Sequence, residues 1–249
     1  MNSKSFDARG APKNHAPCPP FMRTFAIGDI HGCQTALQVL DEQLNFGTDD
    51  VIVTLGDYVD RGPDTCGVID HLLGLSKRAT LVPLRGNHEV MMLNSRTDWR
   101  TLDAWKDCGG AETLASYGTT LLEDVPEHHW AFLESTLPWY ETATDIFVHA
   151  NLRAHLPLDQ QSENVIYWER LIICHPHISG RRMICGHTPQ HEGVPLNFGY
   201  AVGIDTYAYG TGWLTCLDVG SPDGTYWQAN QLGEFRTGKL TPLSRIGSV

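Results

Sequence analysis

Thr24-Phe25-Ala26-Ile27-Gly28-Asp29-Ile30-His31-Gly32 runs from an apolar segment straight into a glycine-bounded turn that carries a carboxylate and an imidazole. The apolar run reads as a buried strand and the glycines as a turn, and Leu37, Leu40 and Leu44 beyond them recur at helical spacing. The unit then returns. Asp50 to Leu55 is a β-branched run closing on Gly56-Asp57-Tyr58-Val59-Asp60-Arg61-Gly62, with Ile69, Leu72 and Leu73 as the next helical stripe. Ala79 to Leu84 forms a third strand closing on Gly86-Asn87-His88-Glu89. Two βαβ units imply a parallel sheet. In such sheets the loops beyond the carboxyl ends of strands gather on one edge, where ligands bind, so the polar residues of the three turns are expected side by side. Glycine beside each of them lets the backbone turn sharply and come close to an ion.

Outward from this segment, residues 90–138 read as mostly helical, with Trp99, Trp105 and Trp130 and with breaks at Gly109-Gly110 and Pro126, and are expected to form a helical cap layer. Strands return at about Asp145 to Val148, Arg182 to Cys185, Tyr200 to Ile204 and Leu214 to Val219, with few helices between them. The expected fold class is α/β, a two-sheet β-sandwich of mixed strands flanked by helices. Residues 1–20, with Pro12, Pro17, Pro19 and Pro20, read as a disordered leader. The domain is expected over 21–232 and an irregular polar tail over 233–249.

With 249 residues and 41% hydrophobic content the chain can bury a substantial core. Its formal charge of -11 repels nucleic-acid backbones, which argues against a nucleic-acid partner. Seven cysteines without paired spacing fit a reducing compartment better than a disulfide framework. No signal pattern opens the chain, and no apolar stretch nears the roughly 18 residues of a membrane span. The expectation is a soluble cytoplasmic protein with no membrane partner.

The strand-end residues supply a mixed donor set. Asp29, His31, Asp57, Asn87, His149 and His187 offer two carboxylates, one amide oxygen and three imidazoles, suited to Mn²⁺, Fe or Zn²⁺ rather than Ca²⁺. Six donors exceed one ion's share, and two ions roughly 3.5 to 4 Å apart, bridged by Asp57, make the economical arrangement. Thiolates are absent from the pattern, which argues against a structural zinc site there. Glu89 reads as a cap or brace of its helix. The remaining histidines, His128 and His129 among them, lack a motif and read as ordinary polar residues.

These segments resemble the metallophosphoesterases of the PPP class, the serine/threonine protein phosphatases, in their bacterial and phage form. The resemblance runs from Arg23 to about Leu217, in the family's order, and continues through His149-Ala150, Gly186-His187-Thr188 and Asp205-Thr206. It implies that Asp29, His31 and Asp57 hold one divalent ion and Asp57, Asn87, His149 and His187 the other, with Mn²⁺ favoured. It also implies that His88, hydrogen-bonded to Asp60, is the general acid, and that Arg61 and Arg170 grip phosphate oxygens. A carboxylate on one imidazole nitrogen fixes the tautomer and keeps the ring protonated, and guanidinium forks give an acidic chain local positive charge. The implied activity is hydrolysis of serine/threonine phosphoproteins by in-line attack of a hydroxide shared by the two ions, with phosphorylated proteins or peptides as partners. A dinucleoside polyphosphate or other small phosphoester hydrolase is the alternative, and a non-catalytic phosphopeptide-binding module the third reading. Two positions depart from the family pattern. Asn151 and Tyr207 stand where glycine is expected, and Tyr207 adds a ring at the rim of the site.

Overall fold

The computed structural model describes residues 23–172 and 174–242, so the expected leader and the end of the expected tail lie outside the described residues. Strands β1 (Arg23–Ile27), β2 (Asp50–Thr54) and β3 (Thr80–Pro83) alternate with helices α1 (Gln34–Leu44) and α2 (Thr65–Leu75) and pair in parallel. Next come α3 (Asn87–Thr97), α4 (Leu102–Trp105), α5 (Ala111–Ser116) and α6 (Glu127–Glu134), with a π-helical turn at Lys106–Gly110 joining α4 to α5. The chain continues through β4 (Trp139–Glu141), β5 (Asp145–Val148), α7 (Glu163–Trp168), β6 (Arg182–Cys185), β7 (Leu196–Asn197) and β8 (Ala201–Gly203). It ends in β9 (Asp205–Thr206), β10 (Trp213–Asp218), β11 (Thr225–Ala229) and β12 (Phe235–Lys239).

Two sheets result. One has the order β12-β11-β10-β1-β2-β3, with β9 paired to β10; the other has the order β4-β5-β6-β8-β7. Strands β5, β6 and β8 run parallel, whereas β4 and β7 are antiparallel to their neighbours, so the second sheet is mixed. The two-residue side-chain period of a strand divides the core between its faces. Phe25, Ile27 and Ile52 pack under Leu37, Leu40, Ile69 and Leu72 and under Trp105 and Trp130 of the helical stretch. Their neighbours Ala26, Val51 and Val53 face the other way, onto Phe147, Ile184 and Val202 of the second sheet. Val148, Met183 and Cys185 then cover Ile166 and Tyr167 of α7. The order of layers is therefore helices, sheet, sheet, helix, an α/β sandwich of mixed strands.

The sheet extends beyond residue 232. Phe235–Lys239, expected to be irregular, pairs with Thr225–Ala229 in a hairpin, with Ala229 opposite Phe235 and Thr225 opposite Lys239. An edge strand is held by one ladder and faces solvent on much of its surface, so it carries little of the apolar alternation that marks a strand in sequence.

Candidate metal centre

Each parallel strand hands polar residues to the same edge of the sandwich. β1 leads into Asp29 and His31, β2 into Asp57, Asp60 and Arg61, β3 into Asn87 and His88, β5 into His149, β6 into His187 and β8 into Asp205. The turns that do this are strained. Among the described residues seven non-glycine residues have positive φ, and six of them, His31, Asp57, Asp60, Arg61, His187 and Tyr207, belong to this edge. Each such conformation costs on the order of 1 to 3 kcal/mol and persists only where its surroundings enforce it. Glu89 enforces one of them: its carboxylate accepts the backbone N–H of Asp57 and of Gly86, each at 2.8 Å, and of Tyr58 at 2.7 Å. The carboxylates also use space left by glycines, since a Cβ at Gly86 would collide with the Asp57 side chain and one at Gly186 with that of Asp29.

Tautomers are fixed in the way a cation requires. His31 Nδ1 donates to the Val59 carbonyl at 2.9 Å, which leaves Nε2 as a lone pair 3.4 Å from Asp57 Oδ2. His149 Nδ1 donates to the Leu55 carbonyl at 2.8 Å, and its Nε2 lies 3.5 Å from Asp57 Oδ1. His187 is turned round: Nε2 donates to the Trp168 carbonyl at 3.0 Å and Nδ1 points inward. Asn87 Oδ1 sits between these inward nitrogens, 2.9 Å from His149 Nε2 and 3.0 Å from His187 Nδ1. Around Asn87 lone pairs thus meet lone pairs with no proton to share, an arrangement that a cation resolves, whereas His31 Nε2 accepts from Arg61 Nη1 at 3.1 Å. Burial keeps the imidazoles neutral, pushing His31 down to about 3 and His187 to about 4. Burial, helped by neighbouring carboxylates, raises Asp29, lifts Asp205 to about 7 and lifts Glu89 to about 7. A cluster of buried carboxylates whose main cationic neighbour is Arg61 is short of positive charge, and divalent ions would supply it.

Two sets of ligand atoms come close enough to share an ion, His31-Asp57-His88 and Asp57-His149-His187, and Asp57 belongs to both. Asn87 joins the second set through its amide oxygen. Asp29 stands slightly apart, with its two oxygens 3.0 and 3.1 Å from the backbone nitrogen of His187. His88 belongs to the first set, but one of its nitrogens is engaged elsewhere, with Nδ1 donating to Asp60 at 2.7 Å. Burial works to strip the His88 proton, yet the charge of Asp57 and the bond to Asp60 outweigh it and raise the ring above its ordinary 6.5. A protonated ring is a proton donor rather than a ligand.

Arg61, Arg170, Asp57, Asn87, His88, His187 and Tyr209 line one small hollow of about 80 Å³. A larger hollow of about 530 Å³, between Trp99, Leu121 and Trp130, lies in the helical stretch and holds none of these residues. Within the small hollow, the Arg61 guanidinium lies 4.7 Å from the centre of the Tyr209 ring, and the same ring packs edge-on against His31 at 4.8 Å. The glycine-rich turns and ordered imidazoles at the tips of six parallel strands are matched by the family model of calcineurin-like phosphoesterases over residues 22–210. The chain belongs to this family. The phosphoesterase is 31% identical over 208 residues to serine/threonine-protein phosphatase 1 of Salmonella typhimurium, which covers 78% of this chain and 91% of the relative. It is 32% identical over 143 residues to a symmetrical bis(5'-nucleosyl)-tetraphosphatase of Cellvibrio japonicus, across 56% of this chain and 48% of that one. Among solved structures it superposes on a cold-active protein-tyrosine phosphatase of a Shewanella species with a TM-score of 0.60 at 16% identity, over 87% of this chain and 80% of that one. It also superposes on a protein serine/threonine phosphatase of Saccharomyces cerevisiae with a TM-score of 0.55 at 16% identity, over 92% of this chain and 83% of that one. These likenesses show the fold: a PPP-type metallophosphoesterase.

Three participants in the phosphoesterase site have no assigned part in the sequence reading. Trp105 Nε1 donates to both Asp60 oxygens at 3.0 and 2.9 Å, and the Thr113 hydroxyl donates to Oδ1 at 2.8 Å. Asp205, inside a matched motif, is buried beside Asp29 and accepts the Tyr207 N–H at 3.0 Å. Among the described residues no helix is long and apolar enough to cross a membrane.

Proposed function

We propose that this phosphoesterase hydrolyses phosphomonoesters of serine and threonine in proteins. One observation carries the reading: a single hollow of about 80 Å³ joins Arg61 and Arg170 to Asp57 and to His88. Its size suits a phosphoryl group whose leaving group extends outward, as the side chain of a peptide does. The likeness to the Salmonella phosphatase, which spans nearly all of that protein, supports the same substrate class.

In this proposal Asp29, His31 and Asp57 hold one divalent ion, Asp57, Asn87, His149 and His187 hold the other, and Mn²⁺ is the ion. When bound, the ions activate water by lowering its pKa and offset charge on the phosphoryl oxygens. Arg61 and Arg170, which both line the hollow, orient the phosphate with guanidinium forks, Arg61 turning Nη1 from His31 Nε2 to the phosphate. The Tyr209 ring holds the Arg61 guanidinium in place. His88 gives its Nε2 proton to the departing alkoxide, while Asp60 steadies the ring and its charge. The module spanning residues 90–138 supplies Trp105 and Thr113 to fix Asp60.

A second reading, hydrolysis of dinucleoside polyphosphates, is favoured by the Cellvibrio relative and by the ring of Tyr209, on which a base could stack. The deciding experiment assays the Mn²⁺-loaded protein in parallel on phosphoserine peptide, phosphotyrosine peptide and diadenosine tetraphosphate. The expected kcat/KM is highest on phosphoserine peptide. Nucleotide turnover orders of magnitude above it would replace the first reading with the second.

A further inference from the structure

A separate group of ligating atoms lies where α2 meets α6. Asp70 projects from α2, and His128 and His129 from the first turn of α6, and one atom of each comes within 4.8 Å of the others. His129 Nε2 is 3.1 Å from Asp70 Oδ1, and His128 Nε2 is 3.9 Å from the same oxygen. The two rings stand nearly perpendicular, 4.3 Å apart. Their settings differ in a way that builds a site. The His129 side chain is 1% exposed, whereas Asp70 and His128 are 62% and 63% exposed.

The buried ring is held from behind. His129 Nδ1 lies 2.7 Å from the Tyr117 hydroxyl, and the two rings meet edge-on, so Nε2 is aimed at Asp70. When Nδ1 carries the proton and the hydroxyl accepts it, Nε2 is left as a lone pair, the state of a metal-binding imidazole with a partner behind it. An ion pair with Asp70 would employ one imidazole. Here two converge on one oxygen, and protonating both would set like charges against each other across adjacent rings.

We propose that Asp70, His128 and His129 form a site for one divalent transition-metal ion, of the imidazole-preferring class to which Zn²⁺ belongs. Two imidazole nitrogens and one carboxylate oxygen are an established Zn²⁺ set, with water in the fourth position. Tetrahedral bonds of about 2.0 to 2.1 Å place ligand atoms roughly 3.3 Å apart, so the Asp70-His129 spacing already fits and the exposed His128 needs a small rotation. The ion clamps together two helices whose ligands are 59 residues apart in the chain.

The probe is Zn²⁺ itself. Equilibrium dialysis at micromolar free Zn²⁺ is run on the full chain and on His128→Ala and Asp70→Asn, each also in an Asp57→Asn background that weakens the proposed dinuclear centre. Both substituted side chains are exposed, so folding is retained, and circular dichroism verifies it. The expected result is one Zn²⁺ per chain fewer in each variant, in both backgrounds, with a smaller rise in melting temperature on adding Zn²⁺ than the parent shows. Where Asp57 is intact, Mn²⁺-supported hydrolysis by His128→Ala and Asp70→Asn stays at the parent rate. Equal Zn²⁺ content in parent and variants overturns the site. Because the readout is a difference of one ion that survives Asp57→Asn, it is independent of the proposed hydrolytic activity.

Discussion

Asp57 reaches toward His31 with one oxygen and toward His149 with the other, so its charge is shared between two sets of ligands. Asp57→Asn keeps the shape and removes that charge. Metal analysis of the variant is expected to show both ions lost together and turnover reduced by about two orders of magnitude or more. Loss of one ion alone would contradict the sharing. His88 is the second decisive residue. Asp57 and Asp60 raise its pKa above that of a free imidazole, so the protonated ring persists to higher pH, and turnover of phosphoserine peptide should fall as pH rises through that pKa. Asp60→Asn removes one of the raising influences, so this basic limb moves to lower pH. His88→Asn should cost phosphoserine turnover roughly 10²- to 10⁴-fold but much less with p-nitrophenyl phosphate, whose leaving group needs no proton. Equal losses on both substrates would remove His88 from the acid role.

At the scale of elements, the helical stretch does more than cover the sheet. α4 and α5 deliver Trp105 and Thr113 to Asp60, and between them Gly109, at φ 114, offers its carbonyl to the Arg61 N–H at 3.1 Å. Trp105→Phe keeps an aromatic ring in the core but leaves a cavity and a buried carboxylate short of a donor, the lost donor alone costing about 1 to 3 kcal/mol in denaturant unfolding. Turnover of phosphoserine peptide should drop more than that of p-nitrophenyl phosphate, because the defect lies behind the acid. An unchanged ratio between the two substrates would reduce Trp105 to packing. The sequence makes the strand-end turns legible because polar residues, glycine and apolar runs are adjacent there, and the signal is local. Glu89 is legible as a brace for the same reason, three residues from Gly86. Trp105 is not, because its partner is 45 residues away and an indole in a helix looks the same whether it fills a core or donates to a buried carboxylate. β12 is hidden for a different reason, being an edge strand of mixed polarity. Asp205 is visible as a residue of a motif, but its proximity to Asp29 arises when β9 pairs with β10 and β10 with β1.

Across the whole molecule, the site sets how stability responds to pH. Asp205 and Glu89 are lifted to about 7 by burial, with the charge of Asp57 adding to the effect, from ordinary values of 3.8 and 4.5. A carboxyl whose folded pKa lies above its unfolded pKa binds its proton more tightly in the native state. Its contribution to stability is fully present below the unfolded value and is lost as pH rises through about 7. The formal charge of -11 at pH 7 acts in the same direction through self-repulsion. His31 and His187, held below their ordinary 6.5 by burial, oppose this trend at lower pH, because there the unfolded chain binds protons that the fold does not. In chelator, therefore, the melting temperature is expected to fall from about pH 6.5, where the imidazoles are neutral in both states, to about pH 8. Asp205→Asn removes one titrating group and leaves the global charge almost unchanged, so it should flatten the fall and raise the melting temperature at pH 8. Bound cations reverse the trend, since they bind the deprotonated carboxylates and neutral imidazoles and stabilise by mass action. With Mn²⁺ present the melting temperature should rise over the same pH range. A chelated protein whose melting temperature is flat between about pH 6.5 and 8, or unaffected by Asp205→Asn, would show that these acids do not hold their protons in the fold.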